Sequence, residues 1–565
     1  MKKFRFLFML VIVLGISVAA CKKDNGGEEP IPPVGICDDD SYVINFLDAN
    51  LKSALLEKLG KSDTENITCG DAKKVKSLDL EAMGIKNMEG IEYFINLDSL
   101  SLALNPISNY ALVDSLNLLY LNKDYEGSHI VTFNDVYVEE LLRKEFAKLD
   151  PPLEVAEAEP LTYDLLKKLE KINLSDNPRM KKFISGDLEG LQFCTNVSSL
   201  TIMIGSTEEY PADRVDLTPV KNMANVETSR LRGIDFTKTS LEALGHLASI
   251  EELTFSSCLF YDFDANKGAD LSPLSKLTKI KTLNLSGVPC ALLDMTPLNT
   301  LVNIEQLMLN NTMVKDENGD VMPFDISFLS GATKLKNCNL IQSGVRNLSP
   351  LESCDALEIL YLGGNGNIEA SSMSTLNSKP NLIRLGLEGC GMTNNGLAAL
   401  LNGANWPKLI ILGLGGNEFT DLSPIKSANI PYFTSKSASG DNGTSLISLA
   451  NAKVTELSPL GDLVTLQSLE LDKAAIISFT GLEKLKLTEL YANDTEVSDL
   501  SPLANITSLK EMELSRTLIT TLNDLHKLTK LELLQINKTA ISVADQETFE
   551  AAVPGCVVTC YGRIE

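Results

Sequence analysis

Three histidines, eleven cysteines and two runs of alternating acidic residues are where chemistry would be sought in this sequence. His129, His246 and His526 lie in separate segments without metal-ligand spacing, so a surface or structural role is the better reading of each. Asp262, Asp264 and Asn266 in DFDANKGAD, and Asp316, Asn318 and Asp320 in DENGD, place oxygens at alternate positions, as a turn that wraps a calcium ion does. Both stretches lack a glutamate at the twelfth position and a glycine at the sixth. The inserts at 262 to 270 and 316 to 325 are therefore expected to be polar turns, and no metal is assigned. GKS at 60 to 62 suggests a phosphate loop, but the leading glycine would fall on Leu55. No catalytic residue and no cofactor is indicated, and an enzyme is the least favoured class of function.

The cysteines divide by position. MKKFRFLFMLVIVLGISVAAC has basic Lys2, Lys3 and Arg5, an apolar run from Phe6 to Val18 and small residues before Cys21, the form of a secretory signal over 1 to 20 rather than a spanning helix. Its end, VAAC, resembles the lipobox of bacterial lipoproteins, which implies a lipid on Cys21. KKDNGGEEPIPPVG follows, too polar and too rich in Gly and Pro to fold, so 21 to 36 is expected to be a tether. Cys37 with Cys69 could staple the segment after it. Cys258, Cys390 and Cys338 fall where a small buried side chain is wanted. Cys556 and Cys560, four apart on an expected strand, cannot reach each other if that strand is regular.

The elements that position all of these follow from repetition. Leu490, Ala492, Thr495 and Val497 recur as Met512, Leu514, Thr517 and Ile519, and the same frame finds Leu469, Leu471, Ala474, Ile476 upstream and Leu534, Ile536, Thr539, Ile541 downstream. A fixed period in the low twenties means a solenoid, because one coil cannot bury its apolar side alone. In each coil an alternating pair such as Leu412 and Leu414 points inward while 411, 413 and 415 point outward. At the bend stand Asn105, Asn177, Asn365 and Asn417, whose side-chain amides can satisfy backbone groups left unpaired by the turn; elsewhere the position holds Cys258, Cys390, Thr312, Thr495, Thr517 or Thr539. Ser-Pro pairs then stop a long helix and force short turns and 3-10 pieces.

LIILGLGGNEF (409 to 419), LEILYLGGNGNI (357 to 368) and KINLSDNP (171 to 178), with DLSPL at 270 and 499 and DLSPI at 421, resemble the leucine-rich repeat family in the variety found in bacterial internalins. The resemblance covers most of the chain from about Tyr42. It implies an α/β solenoid, a leucine-rich repeat horseshoe or arc with a parallel sheet on the concave face, short turns and 3-10 segments on the convex face, and a helical amino-terminal cap. The expected divisions are a cap over 37–77, a short array over 78–130, a cap-like helical segment over 131–170, a main array over 171–546 and a closing cap over 547–565. VTFNDVYVEELLRKEFAKL (131 to 149) echoes INFLDANLKSALLEKLG (44 to 60), so 131–170 either restarts a second array or is a helical insertion in one array.

A net charge of −25 excludes simple nucleic-acid binding and disfavours adhesion to anionic membranes. The lipid on Cys21 is the expected membrane attachment, to the outer membrane or cell surface of a Gram-negative bacterium, and a monomer is expected. The resemblance implies a protein or glycan ligand. A structural spacer, or an accessory to a nutrient-uptake system, is the alternative. Outward strand positions give Ile359, Tyr361, Arg384, Glu388 and Ile411 in the middle of the main array, beside Gly363, Gly386, Gly413 and Gly415, which would let a partner approach the backbone. Glu470, Asp472, Glu489, Tyr491, Glu511 and Glu513 form an acidic ladder toward the carboxyl end. As a rule such a ladder is a solvated face, but Tyr491 among carboxylates is a seat for a basic peptide or a stacked sugar.

Replacing Cys21 by Ala is expected to move the protein from the membrane fraction to the soluble or precursor fraction. Incorporation of labelled fatty acid into the Cys21→Ala chain would contradict the lipobox reading.

Overall fold

The computed structural model describes residues 37 to 562, except 38, 81–82, 103–104, 106, 108, 124–128, 208 and 435–443. Cys21, the signal segment and the tether lie outside the described residues. The chain forms two compact units, Met1–Asn117 and Leu118–Glu565.

In the first unit Asp48 caps the helix Ala49–Lys58, because its carboxylate accepts from the N–H groups of Asn50 and Leu51. The other carboxylate oxygen accepts from Lys86 and Asn87 N–H at 2.7 and 3.0 Å, tying the helix to the first coil. Leu51, Leu55 and Leu56 are buried. Cys37 and Cys69 are joined, with an S–S distance of 2.05 Å. The strands Ser77–Asp79 and Ser99–Ser101 pair in parallel, Leu78 opposite Leu100.

The second unit contains the same device. Asp135 caps the helix Val136–Phe146 with one carboxylate oxygen and accepts the N–H of Ser185 with the other. The helix buries Val138, Leu142 and Phe146. A glycine at positive φ serves each unit, Gly90 under Phe46 and Gly190 under Phe133, and a Cβ at either would fall 2.4 to 2.5 Å from the ring.

Sixteen parallel strands follow in chain order, from Lys171–Ser175 to Val557–Thr559. Their inward central residues, mostly leucine, stack from coil to coil, as in Leu283, Leu307, Cys338, Leu360, Leu385, Leu412, Ile447, Leu469, Leu490, Met512, Leu534, all buried. Parallel pairing needs a crossover between strands. Here it is a short 3-10 turn such as Ser272–Lys276 or Ser423–Ser427, with proline in its first turn. The residue two before the Ser or Thr fixes this turn: Asp270, Asp421 and Asp499 each accept the N–H of Ser272, Ser423 and Ser501 at 2.8 to 2.9 Å. The 262 and 316 inserts are closed by the same chemistry. Asp262 accepts from Asp264 and Ala265 N–H, and Asp316 from Asn318 and Asp320 N–H.

The bend asparagines Asn365 and Asn417 behave as expected, threonine shares the task in other coils, and Asn177 departs from it. Asn365 and Asn417 are buried and bonded to two coils, and Thr495, Thr517 and Thr539 donate to Ala492, Leu514 and Ile536 carbonyls. Asn177 is not a core bend residue. It sits at the surface before Pro178, capping the 3-10 turn Pro178–Met180, and Asp176 takes over. The Asp176 carboxylate accepts Ile184 and Gly205 N–H and pairs with the buried Arg214 at 2.6 Å. Arg214 is itself satisfied by the carbonyls of Ile184, Gly205 and Tyr210, as a buried ion pair must be. Cys338 and Cys390 are buried free thiols, and Cys258, Cys556 and Cys560 are free and half-buried.

Gly190→Ala is expected to destabilise the second unit by more than about 2 kcal/mol in chemical denaturation, through left-handed backbone strain plus collision with Phe133. Gly287→Ala, also at positive φ but with open space beside it, should cost only about 1 kcal/mol. Equal costs would show that the Phe133 contact is unimportant. Reduction should leave the melting of the second unit unchanged, since its described cysteines are free thiols. A fall of more than about 10 °C, several kcal/mol for a domain, would contradict this.

Candidate functional site

Strand register places the outward residues in two rows. One runs Asn337, Ile359, Arg384, Ile411, Leu446, Ser468, Glu489, Glu511, Leu533, and the other Asn339, Tyr361, Gly386, Gly413, Ser448, Glu470, Tyr491, Glu513, Gln535. Both groups of candidate residues thus share one face of one sheet. Five strand steps separate the strands of Tyr361 and Tyr491, about 24 Å at 4.8 Å per step.

In the middle group the expected open glycine floor is not present. Gly386 and Gly413 are buried. A Cβ on Gly386 would meet the Tyr361 ring at 2.9 Å, and one on Gly413 would meet the Glu388 carboxylate at 1.7 Å. The glycines make room for the protein's own Tyr361 and Glu388, which lie across the neighbouring strands, so a ligand would meet these side chains rather than backbone. Glu388 follows its strand rather than belonging to it, and its carboxyl pKa is raised by burial, with Glu470 adding repulsion. Arg384 is exposed, and Ile359, Tyr361 and Ile411 are half-buried beside it.

The carboxyl group is hydrogen-bonded rather than merely solvated. Tyr491 donates its hydroxyl to Glu511 at 3.0 Å, and Glu513 accepts from Asn493 at 2.7 Å and Gln535 at 2.9 Å. Asp472 turns from the face to accept the N–H of Asn493 at 2.7 Å. Burial raises the Tyr491 pKa, as do the bond to Glu511 and the charges of Glu489, Glu511 and Glu513, so the hydroxyl remains a donor. Ser468, next to Glu489 in the register, is fully buried with a hydroxyl that has no partner. Beside this group Arg516 pairs with Asp494 at the bend. The arrangement offers an oriented ring among fixed acceptors, suited to binding a donor-rich or cationic group.

The histidines stand apart from this face. His246 is buried, its Nδ1 meets the Leu118 carbonyl, and burial lowers its pKa, which favours the neutral ring. His129 lies by Phe193 and His526 by Phe549. Among the described residues no group of three or more His, Cys, Asp or Glu could hold a metal ion. Sequence reasoning passed over Ser468, and also a second asparagine series three residues before the strands. Asn196, Asn225, Asn303 and Asn381 each donate to a carbonyl of the preceding coil, those of Lys167, Thr195, Thr278 and Asp355. Its signal was present as TNVSS, ANVET, VNIEQ and PNLIR.

No family model and no curated protein matches the chain. Solved structures do. The internalin InlF of Listeria monocytogenes is 17% identical over 77% of this chain and 91% of its own, with a TM-score of 0.39. A leucine-rich repeat protein of Leptospira interrogans is 15% identical over 87% of this chain and 97% of its own, with a TM-score of 0.44. The plant peptide hormone receptor RGFR1, solved in complex with RGF2, is 15% identical over 86% and 78%, with a TM-score of 0.43. The likeness lies in the arrangement of coils and goes no further. By the geometry of its own coils, from inward apolar stack to buried bend side chain to short 3-10 turn, the chain folds as a parallel-stranded solenoid of the leucine-rich repeat type.

Proposed function

We propose that this is a non-enzymatic surface lipoprotein whose concave sheet captures a protein or glycan ligand, for adhesion or uptake. The observation that carries the reading is the pair of tyrosines on one outward row, Tyr361 over the glycines and Tyr491 bonded to Glu511. Aromatic side chains held in place by neighbours give large contact area at low entropic cost, which is what binding hot spots require. Inward residues bear the packing, so the outward row is free for recognition. Arg384 and Glu489 supply orientation on either side, and Ile359, Ile411, Glu388, Glu470, Glu511 and Glu513 complete the surface. Cys21 supplies the anchor, a reading that rests on the lipobox-like VAAC; no helix among the described residues is long and apolar enough to cross a membrane. The cap contacts of the helix Val136–Phe146 support reading 131–170 as the start of a second array.

A screen of the chain against glycan and surface-protein arrays identifies the ligand. Tyr361→Ala and Tyr491→Ala are each expected to weaken its binding by about 1 kcal/mol or more with unchanged circular dichroism. Normal binding by both, with loss on changing the convex Ser-Pro turns or the inserts at 262 to 270 and 316 to 325, would remove the concave face as the site.

A further inference from the structure

The outward residues near the amino-terminal end of the long sheet differ in kind from those already described. The strand Thr228–Arg232 turns Ser229 and Leu231 inward and presents Thr228, Arg230 and Arg232. Arg230 stands in register between Thr201 and Thr254, and Arg232 between Met203 and Ser256. Both arginines are exposed, and among the described residues neither makes an ion pair or a side-chain hydrogen bond. This is notable in a chain with 75 acidic and 50 basic residues. Glu252, opposite Thr228, is the acidic residue diagonal to Arg230, and it too is exposed. It does not pair with the guanidinium. Some other exposed basic side chains do pair with carboxylates, as Lys281 with Glu251 and Lys336 with Glu305.

Alternate side chains on one strand stand about 6.8 Å apart, which is also the spacing of alternate side chains on an extended polypeptide. A guanidinium is a planar fork that receives a carboxylate through two parallel N–H donors, and it sheds water more readily than an ammonium. The surrounding floor is short and hydroxylic, Thr201, Thr254 and Ser256, so an approaching chain meets no bulk. Met203 adds one apolar contact.

We propose that Arg230 and Arg232 form a carboxylate-receiving site that takes an acidic, extended segment of a polypeptide ligand. The proposal rests on the concave sheet being the recognition face and gives that ligand a chemistry and a direction. Ten strand steps, about 48 Å, separate this strand from that of Glu489 and Tyr491. A ligand spanning both therefore carries acidic residues at the arginine end and basic or donor groups at the ladder end.

The test uses the full chain and a fluorescein-labelled peptide of alternating glutamate and threonine, read by anisotropy against the same peptide with glutamine for glutamate. The wild-type chain should bind the glutamate peptide at least tenfold more tightly. That preference should vanish in R230Q/R232Q and survive in part in R230K/R232K, with unchanged circular dichroism throughout. No preference in the wild-type chain, or a preference that persists in R230Q/R232Q, overturns the proposal. So does tighter binding of a sulfated oligosaccharide at the same arginines. If Tyr361→Ala and Tyr491→Ala lose the captured ligand while R230Q/R232Q behaves as wild type, the arginine site falls and the concave reading stands. If binding responds only to convex changes, both fall.

Discussion

Each coil must turn off its strand and across the core, and the turn carries backbone N–H and C=O groups inside with no strand partner. Leaving such groups unpaired costs on the order of 1–3 kcal/mol apiece, and the long sheet repeats the problem at every strand. At many bends the structure answers with one buried polar side chain, although alanine holds the place at Ala452 and Ala474. Asn365 accepts from the N–H groups of Ser343, Gly344 and Val345 and donates to the carbonyls of Leu340 and Leu362, so a single carboxamide closes its own coil and fastens the previous one. Asn417 repeats this with Cys390, Met392, Leu387 and Leu414. Toward the carboxyl end threonine reaches only its own coil, and the link between coils passes to neighbouring residues. Asn493 accepts from Ser515 N–H, Ser515 from Asn537 N–H, and Asn537 from Tyr561 N–H.

The bend has a conformational requirement as well. The residue just before it is left-handed in coil after coil: Gly364, Gly389 and Gly416, then Asn451, Lys473, Asp494, Arg516 and Lys538. Glycine adopts this backbone freely and the others at some cost, which the buried hydrogen bonds offset. Because strand pairing, inward leucines and bend groups together hold the coil, the outward row is not needed for folding. It can carry Tyr361, the carboxylates around Tyr491 and the unpaired Arg230 and Arg232. Recognition is possible on this face because stability is secured on the other.

Much of this was legible in the sequence, and the failures have physical causes. Leucine spacing, bend residues and Ser-Pro turns are periodic, so one coil predicts the next. Asn177 was misplaced because Pro178 pulls it into a surface cap and moves the buried role to Asp176. The floor around Gly386 and Gly413 was read as open because glycine alone does not reveal that Tyr361 and Glu388 lie over it from neighbouring strands. Arg230 and Arg232 escaped notice because their strand turns Ser229 inward where its neighbours turn Leu200 and Leu253, so the leucine frame does not mark it. The bond between Cys37 and Cys69 was conceivable from spacing within the cap, but only the fold brings the two together.

The central claim, that one buried bend side chain fastens two coils, is tested most directly by amide hydrogen exchange in Asn365→Ala. The account predicts that Ser343, Gly344 and Val345, protected in the wild-type protein, lose protection together by about 2 kcal/mol or more, while the amides around Thr517 exchange as before. Unchanged protection at 343 to 345 would contradict it, and would mean that the strands and the leucine stack hold the coils without the bend.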